Sequence, residues 1–187
     1  MSIDQSGSSV GRDQAGRDIV KTEYHLSGDT QVQQLLLLVE QFKQEQSSNA
    51  CFRQIIDELQ HFQNSVDGAA ITGLKTKLSN GGREDLLDFA QKTKENFTKK
   101  LLKFQMYESA QKIYAFLLGD IYNKFNLEIM TLIKAGASND QVSHALQTKV
   151  IDPVIRIIPE NVCDLYPPDI AGMVFFLTGN CHLKWER

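Results

Sequence analysis

Hydrophobic residues recur at helical spacing along most of the chain after residue 29. The clearest series consists of Phe52, Ile55, Ile56, Leu59, Phe62 and Val66. This spacing is typical of one face of an amphipathic helix. An earlier helix is predicted to begin at Asp29 or Thr30, since both residue types are good N-caps. Its four consecutive leucines, residues 35–38, widen the apolar face. We therefore expect that helix to be contacted on more than one side.

Five further helices are predicted between residues 69 and 179. Glycine-containing turns and proline-rich starts bound them, because Gly suits helix C-termini and Pro suits first helical positions. The predicted helices are 69–78, 84–104, 108–133, one capped by Ser138 or Asn139 that reaches residue 154, and one from Pro167 to Gly179. Pro153 lies inside the fourth pattern and is expected to kink that helix or end it early. Six or seven helices with short connections predict a mostly α fold, a helical bundle.

The first 28 residues have a different pattern, polar and punctuated by glycine. Gly11-Arg12-Asp13 recurs as Gly16-Arg17-Asp18, followed by Ile19. Because Gly permits turns and Asp bonds nearby amides, the repeat favours a short β strip. Such a strip exposes unpaired backbone edges unless it meets copies of itself or a partner. A disordered polar leader is the alternative interpretation.

Two parts of the chain are therefore predicted. Residues 1–28 form an oligomerisation arm, and residues 29–187 form an all-α bundle with a docked C-terminal segment. In the arm, the residues expected to pair between copies are Gly11, Arg12, Asp13, Gly16, Arg17, Asp18 and Ile19.

The C-terminal segment is unusually apolar. Chain ends fray unless packing holds them, so this one is expected to dock into the core or a partner, with residues 180–185 as a short return strand or extended tail. The residues of this structural motif are Phe175, Phe176, Leu177, Gly179, Asn180, Cys181, His182 and Trp185.

Composition narrows the function classes. The chain has 187 residues, 42% hydrophobic, with a formal net charge of -3, which is far from the strongly basic character of a dedicated nucleic-acid binder. Three cysteines and the lack of a signal-like or membrane-spanning apolar run in this sequence favour a cytoplasmic protein with reduced thiols.

A lysine-rich helix face offers one possible nucleic-acid site. Several lysines on one face could neutralise phosphates, and the candidates are Lys92, Lys99, Lys100 and Lys103. No aromatic residues are interleaved there to stack bases, so a solvated helix surface is the favoured interpretation. A DNA-binding accessory subunit is kept as the alternative function.

The sequence shows no phosphate-binding loop, dinucleotide fingerprint, zinc-protease motif or nucleophile elbow. Cys181 and His182 are adjacent, and neighbours on an extended segment point to opposite faces. We interpret Cys181 as a small buried hydrophobe and His182 as a hydrogen-bonded packing residue. The prediction is a protein that is not an enzyme and holds no metal or cofactor.

Three stretches are similar to a known family: residues 11–19, residues 74–78 with the lysine-rich helix that follows, and residues 172–185. On these stretches the chain resembles the C-terminal domain or small subunit of bacterial ABC-three-component, Lamassu-like, antiphage systems. In such systems an SMC-like ABC ATPase and a middle component join a third subunit whose N-terminal effector is a nuclease, protease or similar toxin.

The resemblance implies a non-enzymatic assembly and oligomerisation module. Its expected partners are further copies of itself, an ABC ATPase, and middle-component or effector subunits, with DNA less favoured and no membrane. Since no effector domain precedes residue 11 in this sequence, the resemblance implies either a stand-alone subunit or an effector on another chain.

Overall fold

The computed structural model describes residues 30–49, 51–65, 73–159 and 162–186. Within these residues seven helices form an α bundle and no strand is present, which confirms the predicted fold class. The predicted β strip lies outside the described residues. The helices are α1 (Thr30–Ser47), α2 (Asp57–Gln63), α3 (Leu74–Asn80), α4 (Leu87–Phe104), α5 (Glu108–Lys124, continuing through a π-helical stretch, Phe125–Ile129, into Met130–Ala135), α6 (Asn139–Ala145, continuing through a π-helical stretch, Leu146–Ile151, into Asp152–Ile157) and α7 (Pro167–Gly179).

The last helix, α7, is the centre of the bundle. Every residue from Asp169 to Thr178 is buried, as expected of a helix that is hydrophobic on all sides. It packs mainly on α4 and also on α5 and α3, whereas α1 and α2 pack on α5. No described helix has both the length and the apolar character needed to cross a membrane.

Several predicted helix boundaries are confirmed. Ser138 caps α6, with its hydroxyl and the Gln141 side chain forming a reciprocal capping box. Gly82 and Gly136 follow α3 and α5 with φ of 64° and 77°, a left-handed conformation that Gly adopts without steric cost. The proline-rich start of α7 and its end at Gly179 are also as predicted.

The apolar pattern predicts a helix over residues 52–66, but the helix found there is shorter. The described helix, α2, covers only Asp57–Gln63. The preceding residues use tertiary hydrogen bonds instead, since the Phe52 amide donates to the Met106 carbonyl at 2.7 Å and the Ile56 amide donates to Gln111 Oε1 at 2.7 Å. The next predicted helix also starts late, at Leu74; residues 66–72 are outside the described residues.

Pro153 does not end α6, which continues to Ile157. A π-helical stretch, Leu146–Ile151, comes directly before it. A proline ring collides with the carbonyl four residues earlier in a regular α-helix, and the wider π turn relieves that conflict. Of the two expected effects of Pro153, a kink or an early end of the helix, the early end is therefore not found.

The leucine run of α1 is only partly enclosed. Leu35 is fully buried, but Leu37 is 66% exposed. Among the described residues, the expected contact on a second side is missing at Leu37.

Candidate interaction surfaces and the C-terminal motif

The C-terminal motif begins with the close approach of α7 to α4. A Cβ added to Gly172 would lie 2.3 Å from the Thr93 carbonyl oxygen, so only glycine allows this spacing. Phe176 meets Phe97 edge to face, with ring centroids 5.3 Å apart. Phe175 makes a similar contact with Phe89 at 5.9 Å. Such aromatic pairs add stability beyond the apolar area that they bury.

After Gly179 the chain reverses. The Asn180 amide donates to the Phe176 carbonyl at 3.0 Å, and the His182 amide donates to the Leu177 carbonyl at 2.9 Å. Cys181 has a φ of 67°, the left-handed conformation that makes the reversal, and it is 7% exposed. No strand forms over residues 180–186, so the return strand, one of the two expectations, is not found there.

The reversed segment also holds α2. Asn180 Nδ2 donates to the Phe62 carbonyl at 3.0 Å, and His182 Nε2 donates to the Asn64 carbonyl at 3.0 Å. Half-burial lowers the pKa of His182, and the neighbouring His61 lowers it further. Cys181 is thus buried and His182 is hydrogen-bonded and half-buried, which agrees with their interpretation as packing residues.

Trp185 completes the motif. Its Nε1 donates to Thr178 Oγ1 at 3.0 Å, and its ring stacks on Phe175 with centroids 6.3 Å apart. It lies so close to Gly81 that a Cβ there would be 2.6 Å from the Trp185 Cβ. All eight residues of the predicted C-terminal motif thus belong to the core of the bundle or to the turn that closes it.

Two buried cations contact this segment, and neither was predicted. Lys77 is 8% exposed, and its Nζ donates to the Leu183 carbonyl at 3.2 Å. Arg83 is 2% exposed and lies 5.6 Å from the centroid of the Trp185 ring. A basic residue is normally exposed, and nothing in the sequence separates these two from surface cations.

The buried thiol of Cys163 is inert at neutral pH. Cys163 is 1% exposed, and burial raises its pKa to about 12, so it stays a thiol at neutral pH. The thiolate is the reactive form. Among the described residues, no three His, Cys, Asp or Glu side chains are grouped so as to hold a metal ion.

Most lysines of the predicted lysine face form ion pairs with carboxylates. Lys99 pairs with Glu95 at 2.6 Å. Lys100 Nζ bonds Asp169 Oδ2 at 2.5 Å and also the Asp164 carbonyl, whereas Lys103 pairs with the Asp164 carboxylate at 2.6 Å. Lys92 is exposed on the same helix. A DNA-binding role for this face stays a prediction, and the ion pairs do not favour it.

An open apolar groove of about 700 Å³ lies among α1, α2 and α5. Its lining is mainly apolar, with four polar or charged side chains. The lining residues are Gln34, Leu37, Leu38, Gln41, Ile56, Glu58, Phe62, Lys112, Ala115 and Phe116. Large exposed apolar patches with polar rims mark interaction sites, and the sequence indicated this one only through the width of the leucine run.

A comparison with models of known protein families shows which family the chain belongs to. The family model described as C-terminal domain 9 of the ABC-three component (ABC-3C) systems matches residues 73–185. The chain belongs to this family. The matched range begins one residue before α3 and ends at Trp185, so it includes the whole C-terminal motif. No curated protein and no solved structure matches the chain.

The ABC-3C domain does not include every described helix. Helices α1 and α2 precede the matched range and pack on α5 within it. The apolar groove therefore combines residues of the family domain, such as Phe116, with residues that precede it, such as Leu37. The arm residues Gly11, Arg12, Asp13, Gly16, Arg17, Asp18 and Ile19 lie outside both the described residues and the matched range.

Proposed function

We propose that this chain is a non-enzymatic assembly module of a bacterial ABC-3C antiphage system. In that role it associates with copies of itself in the cytoplasm and joins the ABC ATPase to middle-component or effector subunits. The observation that carries the proposal is the family match, because it covers the chain from α3 to the last buried residue, Trp185.

The interior of the bundle supports a structural role. Its two buried cysteines lie in packed positions, and its distinctive C-terminal residues are used for core contacts. Those contacts hold α3, α4 and α5 around α7. A rigid core of this kind can present surface helices to partners with little loss of conformational entropy on binding.

Self-association is assigned to the Gly-Arg-Asp repeat of residues 11–18. A repeated strand-and-turn pattern gains order by pairing its backbone edges with those of another copy. The apolar groove supports the broader assembly role, since patches of this type are typical of interaction sites.

The test of self-association is a mass measurement. Light scattering on the full chain should give an oligomer, and deletion of residues 1–26 should leave a folded bundle with fewer chains per particle. A second variant, the full-length chain with residues 11–18 permuted, keeps length and charge and should also have fewer chains per particle. The same number of chains per particle after the deletion would remove the proposed arm.

The test of the wider role is co-purification. The chain is co-expressed with the ABC ATPase of its own ABC-3C system, and the two proteins should elute together. Circular dichroism of each variant shows whether a lost complex reflects lost folding. A chain that never elutes with the ATPase, although both are folded, would argue against a role in joining the subunits.

A further inference from the structure

The groove among α1, α2 and α5 leaves large apolar side chains exposed. Leu37 is 66% exposed, and Leu38, Phe62 and Phe116 are each partly exposed beside it. A large apolar side chain left in water forgoes the favourable free energy of burial. The arrangement therefore favours an occupant with apolar side chains.

The polar residues that line the groove indicate the remaining chemistry of that occupant. Gln34 and Gln41 lie on α1, and Glu58 and Lys112 lie on the two other helices. Amide side chains both donate and accept hydrogen bonds, so they suit a peptide with free backbone groups. An extended segment with one apolar face and one charged face meets both requirements.

The chain itself contains such a segment directly before α1. Val20, Thr22, Tyr24 and Leu26 alternate with Lys21, Glu23 and His25. In an extended chain, alternate residues lie on opposite faces. An extended conformation would therefore place Val20, Tyr24 and Leu26 with Thr22 on one face, and the charged Lys21 and Glu23 with His25 on the other.

The position of the segment favours the groove of its own chain. Leu26 is four residues before Thr30, and four extended residues reach about 13 Å. The rise of an α-helix places Gln34 only about 6 Å along the axis from Thr30. Ser27-Gly28-Asp29 has the composition of a reversing turn.

Tethering then decides between the possible occupants. A segment joined to its site through only a few residues is held near it at an effective concentration on the order of millimolar. A second copy at micromolar concentration competes poorly against that. We propose that residues 20–26 dock in the groove of their own chain, with Tyr24 and Leu26 against Leu37, and so anchor the arm to the bundle.

This anchoring leaves residues 11–18 outside the groove. It does not require the self-association proposed above, and the two can be tested separately. A directed anchor would set the direction in which the arm leaves the bundle.

Disulfide trapping tests the contact. The full chain carries Tyr24→Cys and Leu37→Cys with Cys51→Ser, which removes the exposed native thiol. Mild oxidation should form a disulfide within one chain, seen as a monomer with a loss of two hydrogens in the mass. Tyr24→Cys with Leu127→Cys is the matched control, because Leu127 is a 73% exposed leucine outside the groove, and it should stay reduced. Equal trapping in both pairs, or disulfides between chains only, would overturn the proposal.

Limited proteolysis gives an independent measurement without new cysteines. Trypsin should cut after Lys21 about tenfold faster in Leu37→Asp than in the native chain, because cleavage follows the undocked population. Cleavage after Arg12 should be the same in both proteins. Leu37 is largely exposed, so the variant should fold, and circular dichroism checks that. Equal rates after Lys21 in folded proteins would contradict the docking.

Discussion

At the scale of single residues, two helical glycines have opposite roles. A Cβ on Gly172 would lie 2.3 Å from the Thr93 carbonyl oxygen, whereas a Cβ on Gly119 would meet only the Phe62 ring edge at 3.9 Å. Gly172→Ala should therefore push α7 from α4 and cost about 1 to 3 kcal/mol, the usual range for overpacking. Urea denaturation followed by the fluorescence of Trp185, the single tryptophan, measures the loss.

Gly119→Ala is the matched control. It adds the same methyl group to a helix with room for it, and should stabilise the protein by about 0.5 to 1 kcal/mol through helix propensity. A similar loss in both variants would mean that glycine at 172 is not needed for the close approach.

The three thiols should also differ. Cys51 is exposed, and Cys163 and Cys181 are buried. Titration of the native protein with an aromatic disulfide reagent should detect one fast thiol, and unfolding should expose all three. The Cys51→Ser variant should show no fast thiol. A second fast thiol in the native protein would contradict the packed position of Cys181.

Burial of single residues was predictable for apolar side chains and not for cations. The motif residues Phe175 and Trp185 were expected inside because they end the chain. Lys77 and Arg83 were not, because their burial follows from the path of residues 183–185 over α3. That path is a tertiary property which no local pattern encodes.

At the scale of elements, His182 connects the C-terminal segment to α2. Its pKa is lowered by burial, so the unfolded chain, with a His pKa of about 6.5, binds the proton more readily than the folded one. The linked stability is present above pH 6.5 and is lost as the pH falls through the lowered pKa of the folded state. We expect the urea concentration at the unfolding midpoint to be lower at pH 5 than at pH 7.5.

Substitution separates this histidine from the others. His182→Gln keeps an N–H donor for the Asn64 carbonyl but cannot be protonated, so the midpoint should fall less steeply with acid. His144→Gln, at an exposed position, should keep the native slope. Identical slopes in all three proteins would show that His182 does not cause the pH dependence.

Helix ends were predicted best where a local signal fixes them. The Ser138 capping box and the glycine at residue 136 act within a few residues, and both are found. The start of α2 was missed because Gln111, from a distant part of the chain, bonds the Ile56 amide and the Gln54 carbonyl. Periodicity shows which residues face the core, but not which hydrogen bonds their backbone makes.

At the scale of the whole molecule, the groove shows a similar limit. The four leucines of α1 indicated more than one contact face, but only the packing of α1 and α2 on α5 shows which face stays open. The resemblance to ABC-three-component systems, by contrast, was drawn from residues 11–19, 74–78 and 172–185, and the matched family range contains the last two of these stretches. Residues 172–178 are buried at the centre of the bundle.

A test of DNA binding by the lysine face separates the two functions considered for the molecule, an assembly module and a DNA-binding accessory subunit. Lys99, Lys100 and Lys103 have carboxylate partners, and each pair must open before its lysine can replace a counterion on DNA. We therefore expect no retained DNA in a gel shift, even at low salt. The variant with Lys99→Glu and Lys103→Glu should give the same result and keep the native mass. DNA retained by the native chain and released by this variant, with a steep dependence on salt, would instead favour a DNA-binding accessory subunit.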